Sequence, residues 1–364
     1  MAKGAPRVAA ATVLLAAAFC AAGPEARSPR RMLLGCYPSW IGDELPPAAL
    51  DLKLFTHIGH CFLLFDRDGN ARPEGTVPSR ALTRLAHRAG VKVILGLGGA
   101  DSGPVFAAVT ADPKALDRLV RATATIVRDF GYDGVEIDWE FPGNRTERDR
   151  LTALARRLRE ALDRLDGRPS LSVSLPASGY AGRWFDAARL NRFASFYELM
   201  AFDNAGPWRG SAAHNAPLRR SARDPEGGSA EAALEYWTRD RGLSAGRINL
   251  GLPLYGRACR VSEPHASVRD PASAWSEMEY REIAKLPARG WTRRFDADAG
   301  VPWLLAPDRS AVVGYDDEES VAVKARWARQ KGCRGVFFWQ ILGDRMPNGS
   351  HPLIRAAASA WPGV

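Results

Sequence analysis

The chain has 364 residues, 46% apolar and 25% charged, with 34 Gly, 25 Pro and 5 Cys. Such a composition excludes a disordered chain, which is less apolar, and a disulfide-stapled miniprotein, which is far richer in cysteine. The net charge of +9 points to nucleic acid or a membrane surface only if the basic residues gather on one face.

In chain order, Lys3 and Arg7 precede an apolar run from Val8 to Ala22, then Gly23 and a polar stretch ending at Arg31. This is the layout of a secretory signal, here residues 1–28, with its charged, apolar and small-residue regions. The run of about 15 residues is short of the ~20 that a membrane span needs. Phe19 before Cys20 departs from a lipoprotein box. The mature protein is expected to be secreted, or periplasmic in a bacterium, and free of the membrane. Cleavage leaves Cys36, Cys61, Cys259 and Cys333, none in a C-x-x-C pair. Zinc binding by these cysteines is not expected, and disulfides and buried thiols both stay open.

Strand-like apolar runs follow at 32–38, 54–65, 91–97, 132–139, 171–175, 196–202, 247–254 and 335–339. Helix-patterned stretches separate most of them. In the clearest, 145–165, Leu151, Leu154, Leu158, Leu162 and Leu165 recur at helical spacing. Strands alternating with helices predict parallel βαβ units, and eight of them a (β/α)₈ TIM barrel with its site at the C-terminal strand ends. Length therefore does not require two domains. Between the seventh and eighth strands, residues 257–332 read as a small α+β insertion, with a helix at 276–285 and strand-like pieces at 291–295 and 311–315. The catalytic unit spans 29–364.

The fourth run, Tyr132-Asp-Gly-Val-Glu-Ile-Asp-Trp-Glu-Phe-Pro-Gly143, carries the chemistry. Side chains alternate along a strand, so Glu136, Asp138 and Glu140 share one face, opposite Val135, Ile137 and Trp139. The apolar face packs on helices, and the acidic face points into the barrel. Neighbouring carboxylates on that face start from Cα atoms about 6.6 Å apart. They cannot all ionise cheaply in a dry site, so at least one pKa is expected to rise. A carboxyl kept protonated near neutral pH suits a general acid for glycosidic cleavage, and Glu140, nearest the mouth, is the candidate. A metal site lacks His or further Asp at ligand spacing.

Asp133-x-x-Glu136-x-Asp138-x-Glu140 resembles the D-x-x-D-x-D-x-E signature of family 18 glycoside hydrolases, the chitinase family. Gly35-Cys-Tyr-Pro-Ser-Trp40 looks like that family's first strand, and Phe55-Thr-His-Ile58 like its second. Lys92-Val-Ile-Leu-Gly-Leu-Gly-Gly99 is similar to its third. Met200-Ala-Phe-Asp203, Leu250-Gly-Leu-Pro-Leu-Tyr-Gly-Arg257 and Gly335-Val-Phe-Phe-Trp339 resemble the sixth to eighth. The resemblance runs from about Leu33 to Asp344, and the insertion corresponds to the family's insertion domain.

The resemblance implies cleavage of β-1,4-linked N-acetylglucosamine with retention, assisted by the substrate's own acetamido group, an exception to the two-carboxylate scheme. It makes Glu140 the acid, then the base, and Asp138 the residue that orients the acetamido group. Glu136 and Asp133 tune Asp138 and brace the strand. Trp339 floors the sugar beside the scissile bond, with Tyr37, Asp133, Phe202, Asp203, Trp208 and Tyr255 as further substrate contacts. No cofactor and no metal are implied. The partner is chitin or an N-acetylglucosamine oligosaccharide, no nucleic acid is expected, and the chain is expected to act as a monomer.

Three residues depart from the family pattern: Glu136 for Asp, Gly96 for a Ser, and Phe202 for the Tyr of M-x-Y-D. The last removes the hydroxyl that normally bonds the acetamido carbonyl. The alternatives are an endo-β-N-acetylglucosaminidase and a chitin-binding lectin with little turnover, the latter requiring a misplaced Glu140. Among the other signals, Trp40, Trp208 and Trp303 are candidates to stack on sugar rings. His57 and His60 read as satisfied polar histidines. Arg145–Arg150 and Arg156–Glu160 interleave acids with Arg, so the positive charge reads as a dispersed, salt-bridged surface.

Overall fold

The computed structural model describes residues 1, 2, 4 and 32–361; the expected leader, with Cys20, lies outside the described residues except for its first few. Eight strands close into a parallel barrel: β1 (Met32–Pro38), β2 (His57–Phe65), β4 (Lys92–Gly99), β5 (Gly134–Trp139), β6 (Ser170–Pro176), β7 (Phe196–Met200), β8 (Ile248–Pro253) and β14 (Gly335–Trp339). Each pairs with the next, and β14 pairs with β1. A two-residue strand, β3 (Ala71–Arg72), turns back on β2.

Alternation along the strands sorts the side chains into two cores. Leu33, Tyr37, Val135, Ile137, Trp139, Leu171 and Val173 face outward into the large core shared with the helices. Met32, Leu34, Cys36, Cys61, Ile94, Phe196 and Phe337 fill the barrel interior. The helix Arg145–Leu162 buries Leu151, Leu154, Leu158 and Leu162 and ends before Leu165. Asn144 caps it, accepting from the Glu147 amide at 3.0 Å. Its outer face carries the ion pairs Arg156–Glu160 (2.8 Å) and Arg159–Asp163 (3.0 Å), as the interleaved charges predicted. The four described cysteines are buried free thiols. Among the described residues no helix is long and apolar enough to cross a membrane.

A second, antiparallel sheet is ordered β10 (Trp275–Glu279), β9 (Tyr255–Cys259), β13 (Val312–Gly314), β12 (Val301–Leu305), β11 (Thr292–Asp296). The helix expected at 276–285 is instead β10 followed by one helical turn, Tyr280–Ile283. Backbone pairing of Trp275–Glu279 along the full length of β9 overrides a weak local helical pattern. The expected insertion limit at 332 takes in the helix Glu318–Gln330. That helix packs against β14 and the helix Pro352–Ala360, as a barrel helix does.

Lys324 of that helix is fully buried, 2.6 Å from Asp316, and also donates to the Ala216 carbonyl in the segment after β7. A buried pair leaves an uncompensated charge when one partner goes. Lys324→Met is therefore expected to cost about 3–5 kcal/mol in urea denaturation, and adding Asp316→Leu to recover most of the loss.

Candidate active site

β5 delivers the acids. Glu136 and Asp138 point into the barrel and are buried, and Glu140 follows the last residue of the strand at the mouth. Three contacts hold this stretch of backbone. Gly98 on β4 has φ +104°, and a Cβ there would lie 2.3 Å from the Asp138 carbonyl oxygen, so only glycine allows the strands so close. Ser102 Oγ donates to that same oxygen at 3.1 Å and accepts from the Glu140 amide at 3.4 Å.

The carboxyl groups are raised together, as crowding in a dry site requires. Burial lifts Glu136, with the Ser174 hydroxyl opposing it by donating to Oε1 at 2.5 Å. Asp138 stands well above its ordinary value through burial and the charges of Glu140 and Glu136. Its Oδ1 has no hydrogen-bond partner among the described residues. Glu140 is pushed up to about 7, by burial first and then by Asp203, Glu136 and Asp101.

A fourth acid joins them. Glu198 on β7 is buried, both its oxygens lack partners among the described residues, and burial and the Glu136 charge push it well up. Glu198 belongs to no motif noted in the sequence. The signal was present: Phe196, Glu198 and Met200 alternate on the face that fills the barrel.

Aromatic and polar side chains ring the acids. Trp339, at the end of β14, stacks on Phe62 with centroids 5.8 Å apart and meets the edge of exposed Trp40 at 6.3 Å. Phe202 is buried, edge-on to Tyr255 (6.1 Å) and Phe337 (5.9 Å). It occupies the space left by Gly251, where a Cβ would lie 2.7 Å from its ring. Gly96 is filled in the same manner, since a Cβ there would lie 3.0 Å from Phe62. Asp203 accepts from the Tyr255 hydroxyl at 2.7 Å and from Arg257 at 2.6 Å. The Arg257 guanidinium lies 5.5 Å over the exposed Trp208 ring and also pairs with Glu277 at 3.3 Å. Arg257 sits inside a motif noted in the sequence but carried no assigned role there.

Glu136, Asp138, Glu140, Phe202, Asp203, Trp208, Tyr255 and Trp339 thus gather at the C-terminal end of the barrel, with Trp40. Three candidates stand apart from this group. Asp133 precedes β5, seven residues before Glu140 or about 20 Å of strand. There it accepts from the Val93 amide and contacts His87, each at 2.8 Å, and so braces the opposite end of the barrel. Tyr37 is fully buried with its hydroxyl donating to Leu45 O at 2.7 Å, leaving no face for a ligand. Trp303 is buried in the second sheet against His214, at 4.2 Å. His60 contacts Tyr132 (2.8 Å) and Thr76 (2.9 Å), and His57 contacts Thr56 (2.8 Å), both satisfied as expected.

Comparison with known proteins places this geometry. The family model described as glycosyl hydrolases family 18 matches residues 33–344. The chain is 28% identical over 305 residues to the "Probable endochitinase" of Caenorhabditis elegans, covering 75% of this chain but only 48% of that protein. It is 24% identical to "Chitinase 1" of Aphanocladium album (86% of this chain, 81% of that protein) and 25% identical to the class V chitinase CHIT5a of Medicago truncatula (88% and 87%). Among solved structures, the Group IV chitinase of Ostrinia furnacalis superposes with a TM-score of 0.82 at 20% identity, covering 91% of this chain and 99% of that one. The family 18 chitinase of Cycas revoluta in complex with (GlcNAc)3 gives 0.81 at 23% identity, covering 91% and 100%.

The charge on Asp203 favours the neutral form of Glu140, so removing it lowers the Glu140 pKa. Carboxyl-carbon NMR, with Glu140 assigned by its loss in Glu140→Gln, is expected to give a midpoint near 7 that moves to lower pH in Asp203→Asn.

Proposed function

The chain belongs to glycosyl hydrolases family 18, and from that premise we propose that it is a chitinase acting on β-1,4-linked N-acetylglucosamine chains. The observation that carries the reading is the acid line of β5: Glu140 lies at the mouth, raised to about 7, one strand position above a buried Asp138. Family membership supports a retaining, substrate-assisted mechanism on these residues.

In that mechanism, Glu140 in its neutral form donates its proton to the leaving glycosidic oxygen as the C1–O bond breaks. The acetamido carbonyl oxygen of the same sugar closes on C1, giving a cyclic oxazolinium ion and the released aglycone. Asp138, whose Oδ1 has no partner among the described residues, holds the acetamido N–H and balances its developing positive charge. Glu140, now a carboxylate, takes a proton from water as that water opens the ring, which restores both the configuration and the acid. Trp339, backed by Phe62, offers its free face to the sugar. The pair Asp203–Tyr255 and the Trp208 ring with Arg257 line the neighbouring wall. A lectin reading requires Glu140 out of place, and its position and raised pKa count against that. The leader pattern at residues 1–28 supports export.

Phe202 brings no hydroxyl to the acetamido oxygen as that atom becomes nucleophilic. One positioned donor at a developing charge is worth about 10²–10³ in rate. Hydrolysis of fluorogenic chitobioside and chitotrioside is therefore expected to be slow but present. Phe202→Tyr should raise kcat, by up to about 10²-fold; an unchanged or lower rate sinks the role given to the missing hydroxyl. Glu140→Gln should lower kcat by about 10²–10⁴, and equal rates for wild type and this variant would remove Glu140 as the acid.

A further inference from the structure

We propose that His214, His265 and Asp296 form a divalent-cation site of the zinc class, joining the second sheet to the segment that follows β7. The three residues come from separate stretches: the segment between β7 and the helix Ala230–Glu235, the loop between β9 and β10, and the last position of β11. Nothing in their sequence spacing links them; only the fold brings them together.

One ligand atom from each lies within 4.8 Å of the others. Both imidazole Nε2 atoms face the same carboxylate oxygen, Asp296 Oδ2, at 3.1 Å from His214 and 3.9 Å from His265. Donors around a tetrahedral zinc with bonds of about 2.0–2.1 Å stand roughly 3.3–3.4 Å apart. Side-chain shifts of about 1.5 Å or less therefore close the set. Two imidazoles and one carboxylate suit zinc, whereas magnesium and calcium take oxygen donors.

The surroundings hold these donors in place, as the outer contacts of a metal site do. Asp296 Oδ1 accepts the amides of Asp298 and Ala299, each at 3.1 Å, which turns Oδ2 toward the histidines. Ser221 Oγ donates to Oδ2 at 3.0 Å, a further outer contact on the carboxylate. Trp303 forms one wall, 4.2 Å from the His214 ring and 5.6 Å from His265. His265 has φ +64°, a left-handed conformation uncommon outside glycine, and its side chain is turned inward with 7% exposure. Of the cations near the imidazoles, Arg209 is held by Asp224 (2.7 Å) and Lys324 by Asp316 (2.6 Å). Arg223 makes no ion pair among the described residues.

The ion would brace the cleft. Backbone hydrogen bonds already tie the same segments: Ala212 to Ala266 (2.9 Å), Val268 to Gly210 (2.8 Å) and Leu218 to Ala299 (2.8 Å). The segment so anchored begins at the wall residues Asp203 and Trp208.

The test uses the untagged chain, stripped with a chelator and titrated with ZnCl2 by calorimetry, with metal analysis after dialysis. One zinc per chain is expected, with a rise in thermal midpoint. His265→Gln and Asp296→Asn should each weaken binding at least tenfold, while Glu140→Gln should bind as wild type does. Absence of stoichiometric zinc overturns the proposal. So does undiminished affinity in a His265→Gln protein whose circular dichroism matches wild type, or loss of binding in Glu140→Gln, which would move the ion to the cleft acids.

Discussion

The structure is organised around carboxyl groups kept away from water. Glu136, Asp138 and Glu198 are each at most 6% exposed, with Glu140 above them at the mouth. Isolated buried carboxylates are expensive, and neighbours of like charge add to the cost. Burial accordingly pushes all four upward, joined by like charge at Asp138, Glu198 and Glu140, with Glu140 raised to about 7. The rest of the barrel serves that condition. Beside the acids the buried polar residues include the neutral Ser172, Ser174 and Asn249, and Ser174 donates to Glu136. The clamp at Gly98 and Ser102 fixes the height at which β5 presents its last acid.

The three departures from the family pattern have different physical weights. Gly96 gives up a hydroxyl, but the Phe62 ring takes the volume and in turn supports Trp339, so the floor of the site is remade in hydrocarbon. Glu136 keeps the charge and spends its added length reaching Ser174. Phe202 differs because its environment is consistently apolar: Tyr255 and Phe337 meet it edge-on and Gly251 makes room for it. It is a well-packed residue that the fold accommodates without strain on its neighbours.

Most of the barrel was legible because strand order follows chain order and each apolar run ends at a clear break; β1 and β14 match residue for residue. The acid line was legible because alternation is a local rule. The same rule, carried further, separates the errors. Tyr37 shares parity with Leu33, on the outer face, while Met32, Leu34 and Cys36 point in. Asp133 shares parity with Val135 and Ile137 and sits at the far end of the strand. A motif match suggested contact with substrate in both cases, and strand geometry withdraws it. Trp275–Glu279 failed for another reason: five residues have little preference of their own, and their conformation is decided by β9, sixteen or more residues away in the chain.

Arg257 shows what no local rule supplies. It lies on β9, at the root of the second sheet, yet its guanidinium reaches Asp203 beyond β7, Glu277 on β10 and the face of Trp208. One side chain thus ties sheet, barrel and exposed indole into a single wall, and it does so beside the charge that raises Glu140. Moving the second sheet by an ångström would loosen Arg257 from Asp203 and free that carboxylate to act more strongly on the acid. Through Arg257 the second sheet is therefore tied to the carboxylate whose charge, after burial, acts on Glu140.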